Sequence, residues 1–151
     1  MKIILRSTYT LAIYQFAVLI LLMEVIMIDS IDSIKGIGCD VVSVLRIAKM
    51  LDNNGFLDKV FTEYEKKYIS GKGAKTAAGI WAAMEAVSKA FGTGFVGFNI
   101  PDIEVRHNKE GAPQIVLYNR AKAKSETIGV KKVHISISHE EEQALAFAVL
   151  E

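Results

Sequence analysis

The sequence predicts an α+β domain: an antiparallel sheet packed on one long helix. Three observations carry this. A single helical run, Thr76 to Phe91, dominates the helices. A β-branched stretch with glycines, Ile34 to Val44, precedes it. Four strand-like stretches follow it, mostly joined by tight turns that make neighbours antiparallel.

The elements follow in order. Ile34 to Val44 (IKGIGCDVVSV) is a strand whose glycines let another group approach closely. Leu45 to Leu51 is a short helix, ended by the turn cluster Asp52-Asn53-Asn54-Gly55. Thr62 with Glu65 makes a capping box, which starts a helix running to about Ser70. Gly71 and Gly73 break that helix. The long helix Thr76 to Phe91 closes at Gly92, a glycine where a C-terminal cap needs one. Asp102 to His107 alternates as a strand, Asn108-Lys109-Glu110-Gly111 turns the chain, and Gln114 to Tyr118 returns. Asn119 to Thr127 is a helix of about two turns. Lys132 to His139 and Gln143 to Leu150 are two more strands, joined by Glu140-Glu141-Glu142.

Composition narrows the function classes. The chain has 151 residues, the size of one domain. Its formal net charge of +1 lacks the basic surplus of a duplex-binding domain, so nucleic acid is not expected as a partner. One cysteine, Cys39, excludes an intrachain disulfide and a four-cysteine zinc site, and it suits a cytoplasmic protein. Residues 1–28 carry only three charges, Lys2, Arg6 and Glu24. The rest balances, 16 basic against 16 acidic. Leu11 to Met23 is apolar but reaches the length of a membrane span only by including Gln15 and Glu24. Its flanking charges would also place the body outside the cell. A signal peptide lacks a clear small-x-small cleavage site here. The expected organisation is an apolar leader over 1–26 and the working domain over 27–151, with membrane attachment not expected.

Two carboxylates stand in apolar surroundings. Asp40 follows Gly-Ile-Gly-Cys in the first strand, and Glu85 lies in the alanine-rich long helix. A buried carboxylate is costly unless it is paired or binds a cation. Two from different elements can hold one Mg²⁺, and Mn²⁺ suits the same donors. The plainer reading is that Asp40 caps a turn and Glu85 pairs with Lys89, four residues on. Gly92-Thr93-Gly94 either caps the helix or turns N–H groups toward a phosphate. Trp81 reads as core. His139 ends a strand, where it reads as a phosphate or nucleotide contact. Ser138 is a poor nucleophile for it, because adjacent strand positions point to opposite faces. His107 and His134 read as structural.

These pieces, in this order, resemble one family. Gly36-Ile37-Gly38-Cys39-Asp40 with Arg46-Ile47 is similar to a GIGxD…RI opening. Phe61-Thr62-x-x-Glu65 with Tyr68 is similar to FTxxE…Y. Trp81 to Gly94 resembles WAxKEAxxKAxGTG, and Ile135 to His139 with Ala146 to Glu151 resembles SISH…AFVVLE. The family is holo-acyl-carrier-protein synthase, the small class of phosphopantetheinyl transferase, and the likeness covers about residues 34–151. It implies the 4'-phosphopantetheinyl transferase fold. It also implies Mg²⁺-dependent transfer of 4'-phosphopantetheine from coenzyme A to a serine of apo acyl carrier protein, in support of fatty acid synthesis. Asp40 and Glu85 match its metal ligands, and Lys89 a lysine beside the pyrophosphate. His139, Gly92 and Lys72 join Lys89 as expected coenzyme A contacts. Arg46 and Lys49 would face the acidic carrier protein. A homotrimer with coenzyme A at subunit interfaces is implied too.

Two departures open a second reading. Where the family reads R-[FW]-A-x-K-E-A, this chain has Ile80 and Met84 in place of the two basic residues. Both changes are expected to remove positive charge beside a polyanionic substrate. The alternative is a non-catalytic member that binds carrier protein or coenzyme A.

Overall fold

The structure, a computed structural model, describes residues 15, 17–23 and 33–151. The chain divides into two compact units, Met1–Ser33 and Ile34–Glu151. In the first, residues 15 and 17–23 are helical. The leader expected over 1–26 lies largely outside the described residues. Among those described, no helix is long and apolar enough to cross a membrane.

The second unit begins with β1 (Gly36–Ser43), followed by α1 (Val44–Leu51), α2 (Asn54–Val60), α3 (Glu63–Ser70) and the long α4 (Ala74–Ala90). After a short 3₁₀ turn come β2 (Ile103–His107), β3 (Pro113–Leu117), α5 (Asn119–Thr127), β4 (Val133–His139) and β5 (Gln143–Leu150). The sheet is not continuous. Three strands pair antiparallel in the order β1-β5-β4, and β2-β3 form a separate hairpin.

Helix α4 is the centre of the core. Eleven of its 17 residues are buried, from Ala77 to Ala90. A helix apolar on nearly every side belongs inside a fold. Its small side chains meet small side chains on the sheet: Ala144, Ala146 and Ala148 of β5 are fully buried. The closest approach is to β1. A Cβ built on Gly36 would sit 2.0 Å from the Ala90 carbonyl oxygen, and one on Gly38 2.1 Å from that of Ala86. No side chain fits there, so the two glycines let strand and helix touch backbone to backbone.

The Thr62–Glu65 capping box is present. Its glutamate does more than cap. Glu65 is fully buried, and while one oxygen accepts from the Thr62 N–H at 2.9 Å, the other accepts from the Val105 N–H at 2.7 Å. It therefore ties α3 to β2. Burial pushes its carboxyl up to about 7, against these hydrogen bonds. The turn cluster after Leu51 does not stay irregular: Asn53 accepts from the Gly55 N–H and starts α2. An asparagine cap ahead of a glycine also fits a turn, and that ambiguity hid this helix from the sequence.

Candidate functional site

Strand alternation puts Gly36, Gly38, Asp40 and Val42 on the face of β1 that meets α4. Two residues beyond the backbone contact, Asp40 is thereby held against the helix's last turns. Lys89 donates to Asp40 Oδ1 at 2.6 Å and to the Cys39 carbonyl at 3.1 Å. The expected Glu85–Lys89 pair is replaced by this cross-element bond. The Asp40 side chain is only 10% exposed, and its Oδ2 is buried with no hydrogen-bond partner.

Glu85 completes the cluster. Burial, then the closeness and negative charge of Asp40, push its carboxyl up to about 7. The Trp81 indole N–H and the Arg46 guanidinium pull the other way. Trp81 Nε1 has no acceptor in hydrogen-bonding geometry, so its effect is one of proximity. Two carboxylates forced together, one with an orphaned oxygen, could hold a hard divalent cation. Among the described residues no cluster of three or more His, Cys, Asp or Glu offers another metal site.

The other expected residues divide. Gly92 has φ +77 and its N–H caps the Lys89 carbonyl at 2.8 Å, so that N–H is committed to the helix end. Arg46 and Lys49 are exposed on α1, whose Val44 and Ile47 are buried, and Leu45 is exposed beside them. His139 and Lys72 are brought together in a cavity of about 210 Å³ between α4, the β2-β3 hairpin and β4. Gly79, within α4, makes room for this wall: a Cβ there would lie 3.0 Å from Ile137 and 3.8 Å from the His139 ring. The cavity also takes in His107, which the sequence reading left as structural. Ile80 and Met84 are buried at 1% and 0% exposure. Met84 belongs to the core rather than to a charged surface, and only Ile80 touches the cavity.

An α+β fold with a carboxylate pair and a lysine at the strand–helix contact, and a cavity lined by histidine and lysine, has groups suited to a phosphate-bearing substrate, the class of a candidate phosphoryl-group transferase. Comparison with known proteins narrows this. Residues 36–148 match the family described as the 4'-phosphopantetheinyl transferase superfamily. A protein named holo-[acyl-carrier-protein] synthase from Clostridium acetobutylicum is 43% identical over 121 residues, covering 78% of this chain and 98% of its own. The crystal structure of holo-[acyl-carrier-protein] synthase from Neisseria meningitidis superposes with TM-score 0.73 at 33% identity, covering 78% and 98% of the two chains. That of the Bacillus anthracis synthase in complex with CoA (3',5'-ADP) does so with TM-score 0.65 at 40% identity, covering 78% and 96%. The chain belongs to the 4'-phosphopantetheinyl transferase superfamily.

Proposed function

We propose that this protein is a holo-acyl-carrier-protein synthase, with residues 27–151 as its transferase domain. The observation that carries this is the Asp40–Glu85–Lys89 cluster at the β1–α4 contact, in a chain whose relatives bear that name. The serine hydroxyl of an apo acyl carrier protein attacks the phosphorus of coenzyme A that bears pantetheine. The bond to the bridging oxygen breaks, and adenosine 3',5'-bisphosphate leaves. Asp40 and Glu85 would hold Mg²⁺ (or Mn²⁺), which when bound neutralises charge on the pyrophosphate. Lys89, fixed by Asp40 and half exposed, presents its ammonium to the same phosphates. Glu85, or a water beside it, takes the serine proton. Arg46 and Lys49 orient the acidic carrier protein, the carrier of fatty acid synthesis. His139, Lys72 and Gly92 line the coenzyme A path. The burial of Met84 in the core removes half of the motive for a binding-only reading.

Incubation of apo acyl carrier protein with this protein, coenzyme A and Mg²⁺, followed by intact mass, tests the assignment. A gain of one phosphopantetheine that EDTA abolishes is the expected result. No gain from folded protein overturns it.

The proposal extends to assembly and place. The face of β1 and β5 turned away from α4 carries exposed Ile37, Val41, Leu145 and Phe147, with Cys39 across from Phe147 in register. A contiguous apolar sheet face marks an association surface. We read it as the contact between three copies of a cytoplasmic protein. Phe147→Asp is expected to convert the trimer to a folded monomer in sedimentation. A trimer that survives the change removes this face from the interface.

A further inference from the structure

The acidic turn between β4 and β5 has no part in the chemistry above, yet it borders the coenzyme A path. His139, on the wall of the cavity beside α4, also lines a second hollow of about 560 Å³, together with Glu140, Glu141 and Glu142. Three carboxylates thus stand next to a path taken by a polyanion. Charges of the same sign oppose its entry.

One cation answers them. Lys75, in the first turn of α4, donates to Glu141 Oε1 at 2.5 Å, across 66 residues of sequence. Its charge holds the Glu141 carboxyl below the usual carboxylate range. The two side chains are 44% and 85% exposed, so both are open to a ligand. An exposed ion pair contributes little and exchanges partners readily. A phosphomonoester, with up to two charges and three acceptor oxygens, is a stronger partner for the same ammonium.

Position favours that exchange. Lys75 precedes Gly79 by four residues, on the same face of α4 and about 6 Å along its axis. Thr76 and Gly79 line the cavity with Lys72, and no Asp or Glu does. The length of a lysine side chain covers that distance. Coenzyme A carries a phosphomonoester on its ribose, apart from the pyrophosphate.

We propose that Lys75 and Glu141 form an exchangeable clasp at the mouth of this cavity, in which the ribose phosphomonoester of coenzyme A displaces Glu141 and takes Lys75 as its own partner. This rests on the synthase reading for the identity of the ligand. Lys75 favours the phosphorylated nucleotide, and Glu141 competes with it.

The test compares coenzyme A with 3'-dephospho-coenzyme A as donor, at low salt. Both residues lie on the surface, so Lys75→Met and Glu141→Gln leave the core intact. The two changes are expected to act in opposite directions. Lys75→Met should raise KM for coenzyme A about tenfold, the value of one hydrogen bond to a charged group. Glu141→Gln should lower it about threefold, the value of one exposed ion pair no longer in competition. The double variant should resemble Lys75→Met, because Glu141 acts through Lys75. In all three, kcat should stay within about twofold and KM for the dephospho donor should not change. A rise in KM from both single changes would mean that the pair only ties the turn to α4, and would overturn the proposal. Equal effects on both donors, or none on either, would overturn it too. Calorimetry with adenosine 3',5'-bisphosphate separates it from the synthase reading. If wild type transfers nothing yet binds this nucleotide, and the two variants shift its affinity in opposite directions, the clasp stands and the synthase reading falls. If wild type transfers and both variants bind the nucleotide as wild type does, the clasp alone falls.

Discussion

Asp40→Asn is expected to lose at least about a thousandfold in carrier-protein modification while the protein stays folded. The magnitude is that of removing one preorganised charge from a site that stabilises a polyanionic transition state, about 4 kcal/mol. Asn is nearly isosteric, so the backbone contact at Gly36 and Gly38 survives. It still offers Lys89 an oxygen, but the cluster loses one of its two negative charges. A second, independent consequence follows at Glu85. Its carboxyl is raised first by burial and then by Asp40. Without the Asp40 charge it should titrate lower, yet remain above an ordinary glutamate because the burial persists. Transfer rates and an NMR titration of Glu85 measure the two effects. A fully active Asp40→Asn would remove the metal assignment. A Glu85 midpoint that does not move would show that the carboxylates do not share one site.

Gly38→Ala is expected to destabilise the protein by about 3 kcal/mol or more, the cost of forcing backbone apart in a close-packed core. Its Cβ would meet the Ala86 carbonyl oxygen at 2.1 Å and the Ala90 nitrogen at 2.6 Å. Both are backbone atoms of α4, which cannot rotate away as a side-chain tip would. The helix must shift as a body, and Glu85 and Lys89 move with it. Activity should therefore fall further than the folded fraction alone accounts for. Urea unfolding gives the first quantity and the rate per folded molecule the second. A loss below about 1 kcal/mol would mean that the strand–helix gap yields cheaply.

The sequence was informative where one physical demand permits few residues. Only glycine fits at Gly36 and Gly38, so the close approach there was legible, and Asp40 stood out as a carboxylate in an apolar strand. The capping box at Thr62 and Glu65 was legible because both partners are local. The second bond of Glu65, to the Val105 N–H, was not, since it joins residues brought together only by the fold. The surroundings of His107 were hidden for the same reason: its neighbours Tyr68, Lys72 and His139 come from three other segments. Met84 misled, because a pattern shows which charge is replaced but not which way the replacement points. The split of the strands into a three-stranded sheet and a hairpin was beyond alternation patterns, which count strands without pairing them.

The pairing of β1 with β5 bears on when the site comes into being. Gly36 lies opposite Leu150, and Asp40 opposite Ala146. The strand carrying Asp40 is therefore seated by a segment made long after it. On the ribosome, Asp40 emerges early and waits, with α4 complete but its sheet unfinished. Contacts so distant along the chain are slow to close. A nascent or prematurely terminated chain has both carboxylates but nothing to hold them together. It should neither capture the cation nor draw on coenzyme A, so competence arrives with the finished polypeptide.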